Sequence, residues 1–347
     1  VRTTQMRQAY ETETETEHGS AEAPRSGSRI RALLGTWRGD PGIWRRGVVV
    51  AAVAVATGLL MILHAQIPNR IGNVGSLTET FLPWLGLLVP VLLVLALLRR
   101  SATALLALLV PAVVWLNLFG GLLSDKAAGG GNLTVATHNV NAENTDPEGT
   151  AREVASSGAA IVALQELTGD AVPAYEKALA PEYRYHSVQG TVGLWSKYPM
   201  SDTRPVDIRL GWVRAMRSTV ATPSGDVAVY VAHLPSVRVK LNAGFTASQR
   251  DTSADALGEA IVRDPVGKVV LLGDLNGTMN DRSLNSVTSQ MRSTQGAVGD
   301  GFGFSWPASF PMARIDQIMV KGVEPVSSWT LPRTASDHLP IAASVRL

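Results

Sequence analysis

Three apolar runs constrain this chain more than any other feature. Residues 47–64, 81–98 and 102–123 are each 18 to 22 residues long and carry no charged side chain. At about 1.5 Å rise per residue, each is about 27–33 Å long as a helix, which matches the hydrocarbon core of a bilayer. Three transmembrane helices are therefore expected between residues 47 and 123. Pro83, Pro90 and Pro111 are compatible with that reading, because neighbouring helices re-satisfy the carbonyls that a proline frees.

The flanking cations give an orientation. Arg29, Arg31, Arg38, Arg45 and Arg46 precede the first run, and Arg99 and Arg100 separate the second from the third. The loop after the first run has only Arg70, and Lys126 alone follows the third closely. The positive-inside rule then predicts a cytoplasmic N-terminus and an extracytoplasmic segment after residue 123. Residues 1–46 read as a disordered, basic tail with a low-complexity Glu-Thr run at 11–17. No signal-peptide pattern heads it. Frequent Ala, Val and Gly, with Arg favoured over Lys, suggest a GC-rich bacterial genome; with the three apolar runs, the expected location is a bacterial cell membrane. A linker at 124–132, closing on Gly129-Gly130-Gly131, reaches at most about 30 Å.

From residue 133 the pattern changes to α/β. Residues 133–137, 160–164, 227–232, 268–272, 315–320 and 341–345 read as buried strands, short, β-branched and bounded by turn residues. Weaker strands are expected at 191–195 and 217–221, and helices at 147–157, 169–179 and 247–262. About 215 residues suffice for a real core. Residues 127–347 hold 19 basic and 21 acidic residues, a net of −2. That composition excludes a basic nucleic-acid clamp, so no stable nucleic-acid partner is expected. With no cysteine, disulfides, a thiol nucleophile and a Cys-ligated zinc are excluded as well.

Acids, imidazoles and amides recur at the edges of these runs: Asn139, Gln165-Glu166, His233, Asp274 and Asn276 in Gly-Asp-Leu-Asn, Asp316, and Ser336-Asp337-His338. Strand ends let loops carry chemistry on a rigid base. Glu166 and Asp337 offer hard oxygen ligands suited to Mg²⁺, and the absence of a three-His pattern argues against zinc. His338 and His233 can meet phosphate oxygens. Asp274 can orient or deprotonate a water, and Asn276 can donate to developing charge.

In this order and spacing, the Gln-Glu, Gly-Asp-Leu-Asn and Ser-Asp-His motifs resemble the endonuclease/exonuclease/phosphatase superfamily, across essentially all of 133–347. The resemblance implies a four-layer α/β sandwich of two packed mixed sheets with the site at one end. It implies Glu166 as the principal metal ligand with Asn139 and Asp337 near the metal, Mg²⁺ with Mn²⁺ as the alternative. It implies Asp274 as the water-activating residue, Asn276 and His233 as phosphate contacts, His338 as the catalytic histidine and Asp316 as its supporting acid. Whether His338 serves as base or as charged stabiliser stays open. His138 departs from the usual aromatic in that motif and reads as packing. Trp306, in the Trp-Pro region, reads as core. Trp212 sits in either a membrane-skimming loop or an ordinary hairpin. Arg214, Arg238, Lys240 and Arg250 are candidates for holding substrate phosphate, against a solvated face.

Three helices followed by such a domain resemble the VanJ-type membrane proteins of actinomycetes, associated with teicoplanin resistance. That resemblance implies a metal-dependent, extracytoplasmic phosphatase acting on a membrane lipid phosphate, most naturally undecaprenyl pyrophosphate, in recycling of the cell-wall carrier. A tethered nuclease, a phosphodiesterase of the sphingomyelinase type and a catalytically idle lipid-binding protein are the rival readings. No protein partner is indicated.

Overall fold

The computed structural model describes residues 41–69, 72–236 and 245–347, and its apolar segment forms a bundle of three passes. Helix α1 (Val48–Leu63) is followed by the short α2 (Val74–Thr80), a 3₁₀ segment (Leu82–Leu87), α3 (Leu88–Leu98) and α4 (Ala102–Phe119). Gly42–Gln66 and Ala102–Leu122 are long and apolar enough to cross a membrane. The pass between them is not the single straight helix that residues 81–98 suggested. It is bent by 67° from α2 and starts as a 3₁₀ turn that contains Pro83. Proline removes one donor and clashes with the preceding turn, so a break there has a local cause.

The bundle core is layered. Ala51, Ala96 and Ala104 meet at one end, Ala54, Leu92 and Leu108 in the middle, and Met61, Leu82 and Phe119 at the other. Each layer takes one residue from each pass, so the chain runs down the bundle three times. Small residues let the helices approach closely; a Cβ on Gly58 would lie 2.7 Å from the Val110 side chain. Outward-facing Val49, Ile62, Leu98, Leu109 and Val113 stay exposed. A helix surface that is apolar all round is what lipid solvates.

Beyond the bundle lie β1 (Leu133–Asn139), α5 (Pro147–Ser156), β2 (Ile161–Gln165), α6 (Val172–Leu179), β3 (Tyr185–Gln189), β4 (Val192–Ser196), β5 (Met200–Pro205), β6 (Ala215–Thr222) and β7 (Gly225–His233). They are followed by α7 (Phe245–Val262), β8 (Val269–Asp274), α8 (Asn285–Thr288), β9 (Arg292–Ser293), α9 (Thr294–Val298), β10 (Asp316–Lys321), β11 (Glu324–Thr330) and β12 (Ile341–Arg346). Two six-stranded mixed sheets result, ordered β11-β12-β1-β2-β4-β3 and β5-β6-β7-β8-β10-β9. Val135, Ile161 and Leu194 of the first face Val229, Leu272 and Ile318 of the second. Val154, Tyr175 and Leu179 of α5 and α6 cover the outer face of the first sheet, and Leu257 and Ile261 of α7 cover that of the second. This is the four-layer α/β sandwich. Burial on both faces explains why the central strands read as continuous apolar runs.

The expected linker is not a free tether. Ala128 N donates to Val326 O at 2.8 Å and Asn132 N to Val345 O at 2.9 Å, so the segment lies along the first sheet. The sandwich is also fastened to the near end of the bundle. Arg282 Nη1 donates to the carbonyls of Ala65 and Ile67, both at 2.6 Å, and Trp84 Nε1 donates to Met312 O at 2.8 Å.

Gly273, just before Asp274, has φ of 149°, and a Cβ there would lie 1.9 Å from Ala232 O on β7. Gly273→Ala is expected to cost about 2 kcal/mol or more and to lower the thermal midpoint of the purified protein by about 4 °C or more. Gly267→Ala, where a Cβ meets open space, should leave it unchanged.

Candidate active site

Strand direction gathers the polar clusters. β1 and β2 are parallel, with Asn139 opposite Gln165; β7 and β8 are parallel, with His233 opposite Asp274. β10 runs antiparallel to β8 and begins with Asp316 opposite Asp274. The carboxyl ends of four strands and the start of a fifth therefore meet at one rim. The pocket there, of about 560 Å³, is lined by Glu166, Arg214, His233, Asp274, Asn276, Asp337 and His338, among others. Asn139 and Asp316 stand directly behind them.

Asn139 ties the sheets together. Its Nδ2 donates to Glu166 Oε1 and to Asp274 Oδ2, each at 3.0 Å. Glu166 follows β2 with a φ of 63°, a left-handed conformation that a glutamate adopts at a cost of about 1 kcal/mol or more. That kink carries its carboxylate over the pocket, where Ala142 N holds the second oxygen at 3.0 Å. Asn276 N donates to Asp274 Oδ1 at 2.8 Å, and Asn276 Nδ2 donates to Leu234 O at 2.9 Å.

The imidazoles differ in charge. His233 is held neutral, well below the usual histidine range, by burial and by the cations of Arg214 and His338. The Arg214 guanidinium donates to its Nδ1, so the proton sits on Nε2. That atom lies 3.6 Å from both Glu166 Oε1 and Asp274 Oδ2. His338 has the opposite fate. Burial pushes it down, but the Asp316 carboxylate, bonded to Nδ1 at 2.8 Å, with Asp274 and Asp337 nearby, raises it to about 10. Ser305 Oγ donates to the same Asp316 oxygen at 2.6 Å. His338 is thus an imidazolium at neutral pH, with Nε2–H 3.9 Å from Asp274 Oδ2. Of the two roles open to it, the geometry supports charged stabiliser and proton donor. Burial and repulsion from Asp316 push Asp274 up to about 7, with His338 and the Asn139 amide pulling it back.

Asp274, Asp316 and His338 have ligand atoms within 4.8 Å of one another, the one such cluster among the described residues. A protonated imidazole locked to Asp316 is a poor metal ligand, however. The better fit is on the other side of Asp274. There Glu166 and Asp274 bring two carboxylates to a single amide NH₂, an oxygen-rich, negatively charged set that suits a hard divalent cation. Glu166 and Asp274, with Asn139 beside them, would hold it, and Asp337 stands exposed at the rim. A cation bound there supplies Lewis-acid polarisation of a phosphoryl oxygen.

The other expectations divide. Arg214 lines the pocket and packs over the exposed Trp212 ring, 5.0 Å from its centroid. Arg250 does not line it: the side chain is fully buried, paired with Asp281 at 2.7 Å, and donates to Asn276 O at 2.7 Å and Ser76 Oγ at 2.9 Å. It is a structural strut rather than a phosphate ligand. Arg238 and Lys240 lie outside the described residues. Trp306 is half-buried and lines the pocket, not the core. His138 is buried and neutral, its Nε2 2.9 Å from Thr334 Oγ1, as packing requires. Two contributors carried no sequence signal. Ser305 braces Asp316, and Thr80, at the end of α2, lines the pocket.

Residues 136–338 match the model of the Endonuclease/Exonuclease/phosphatase family. Among solved structures, an endonuclease/exonuclease/phosphatase from Bacteroides vulgatus superposes with a TM-score of 0.53 at 17% identity, covering 62% of this chain and 98% of its own. TDP2 of D. rerio, complexed with a single-strand DNA product, gives 0.52 at 17%, covering 62% and 99%. The beta toxin of Staphylococcus aureus gives 0.51 at 13%, covering 61% and 99%. At these identities the likeness establishes the fold. Comparison with curated proteins gives no match.

The Asp316–His338 pair has a pH signature. Stability contributed by a raised pKa is complete below about pH 6.5 and is lost as pH rises through about 10. Asp316→Asn should flatten that dependence in thermal melts. It should also lower kcat by about 10²-fold and move the alkaline limb of the rate profile to lower pH.

Proposed function

Because this chain belongs to the endonuclease/exonuclease/phosphatase family, whose hydrolases act on phosphoester bonds, we propose that it is a membrane-anchored phosphatase for a lipid-linked phosphate, with undecaprenyl pyrophosphate as the preferred substrate. The observation that carries this reading is the composition of the pocket wall. Thr80 ends α2, the connection between the first two passes of the bundle, and stands in the same pocket as Glu166, Asp274 and His338. A substrate that lives in the bilayer meets such a pocket by lateral diffusion, with its phosphate already near the required height.

The bundle supports the sidedness. Three passes put Trp44 and the start of the sandwich at opposite ends, and Thr103 Oγ1 donates to Trp44 O at the far end. With the basic tail cytoplasmic, the catalytic domain is extracytoplasmic, where lipid pyrophosphate released by cell-wall synthesis is exposed. Recycling that carrier is the physiological role proposed, and altered glycopeptide susceptibility its consequence.

The chemistry follows from the residues. Arg214 and the Nε2–H of His233 bind phosphate oxygens on one side. On the other, His338 places an imidazolium where negative charge develops in the transition state and where the leaving oxygen needs a proton. Asp274 is positioned to orient and deprotonate the attacking water. Mg²⁺ is the proposed metal, held by Glu166 and Asp274.

Purified protein in lipid nanodiscs is expected to release phosphate from undecaprenyl pyrophosphate with Mg²⁺. It should lose at least about 10²-fold in Asp274→Asn and in His338→Gln, and stop with EDTA. Absence of phosphate release combined with metal-dependent cutting of plasmid DNA would replace this reading with a tethered nuclease.

A further inference from the structure

A cavity of about 460 Å³ opens on the flank of the bundle, between the Leu82–Leu98 pass and α4. Trp84, Trp115, Leu116, Phe302 and Phe304 are among the residues of its wall. Its mouth faces sideways: Leu87 and Leu116, both lining residues, are 58% and 55% exposed on the bundle surface. The aromatic wall is tightly built. Phe302 stacks on Phe304 at 5.1 Å, and Trp84 stacks on Phe304 at 5.7 Å. Both indole N–H groups are already engaged, Trp84 with Met312 O and Trp115 with Pro83 O, each at 2.8 Å. What remains for an occupant is hydrocarbon and aromatic surface.

This cleft and the catalytic pocket are walled by neighbouring parts of the chain. Phe302 and Phe304 line the cleft, while Trp306, two residues on, lines the catalytic pocket. Met312, which accepts the Trp84 bond, is itself tied to Trp306 by Met312 N donating to Trp306 O at 2.9 Å. A smaller cavity of about 250 Å³ lies between them. It shares Thr80 with the catalytic pocket and Pro83, Phe302 and Phe304 with the cleft.

We propose that the flank cleft holds the headgroup-proximal part of the substrate lipid's hydrocarbon tail while its phosphate occupies the catalytic pocket, so that the seam between bundle and sandwich selects a lipid-linked phosphate over a tail-free one. This deepens the lipid-phosphatase reading and rests on it. The occupant is a single chain. A protein helix about 10 Å across would fill the space within about one turn, and a soluble ligand would leave an apolar wall beside the bilayer without use. Tail burial realised away from the reacting bond is binding energy, so it acts first on KM.

The test fills the cleft without touching the pocket. Ala112 lines the cleft, and Ala112→Trp occupies it; Leu116→Trp, at a half-exposed position, is the second variant should the first fail to accumulate. Turnover of undecaprenyl pyrophosphate and of tail-free inorganic pyrophosphate is measured in nanodiscs, beside quenching of tryptophan fluorescence by a prenyl pyrophosphate brominated in its chain. The expected result is at least a tenfold loss in kcat/KM for the long-chain substrate, mainly in KM, with tail-free turnover unchanged. Quenching in the wild type should fall in Trp84→Phe. If both substrates turn over and the filled variants do not discriminate between them, the tail site is wrong and the phosphatase reading stands. If the wild type turns over neither, the phosphatase reading falls and takes the tail site with it.

Discussion

Glu166, Asp274 and Asp316 bring three carboxylates to one rim, and the fold depends on each being met. Two of them are fully buried or nearly so, where an unpartnered charge is prohibitively costly. Asp316 is met by the His338 imidazolium and Ser305, and Asp274 by two asparagines. Glu166 shares the Asn139 amide with Asp274. Because Asn139 ends a strand of the first sheet and Asp274 ends a strand of the second, a single amide crosses the sandwich. The same arrangement sets the electrostatics: a neutral His233 and a charged His338 both stand beside Asp274, their Nε2 atoms 3.6 and 3.9 Å from its Oδ2.

The second constraint is the seam with the bundle. A freely tethered domain would present its pocket to any phosphate within reach. Here the near end of the bundle is hydrogen-bonded to the sandwich through Arg282, Trp84 and Thr278, and Arg250 bridges Ser76 of α2 to the carbonyl of Asn276. Arg250 therefore couples the apolar segment to the loop that carries a pocket residue. Its burial against Asp281 makes removal of the charge a folding lesion rather than a binding one.

Much of this was legible in the sequence, for physical reasons that also mark where legibility stopped. Apolar length revealed three passes, and Pro83 marked a local break in the second, but the 67° turn of α2 against that pass was not legible, because a proline says where a helix is interrupted and not how far the chain turns. Central strands were readable because burial on both faces makes them uniformly apolar. β3, β5 and β11 were not, because partial exposure leaves them mixed, as in Met200–Pro205 with its Ser, Asp and Arg. The strand-end acids and histidines stood out through their neighbours in sequence. Ser305 and Thr80 did not, since a hydroxyl takes its role from what the fold brings to it. Arg250 was misread because a cation's partner, here 31 positions away, is invisible to a linear reading.

The central claim is that α2, the connection between the first two passes of the bundle, completes the catalytic pocket, and the chain's lack of cysteine allows a direct measurement. Thr80→Cys in the otherwise unchanged protein provides a single thiol. Its alkylation rate by a small maleimide is measured in nanodiscs with and without Mg²⁺ and pyrophosphate. The account predicts that the ligand pair slows alkylation several-fold, and that Asp274→Asn abolishes the protection. An alkylation rate indifferent to the ligands, in a protein that still binds them, would contradict it.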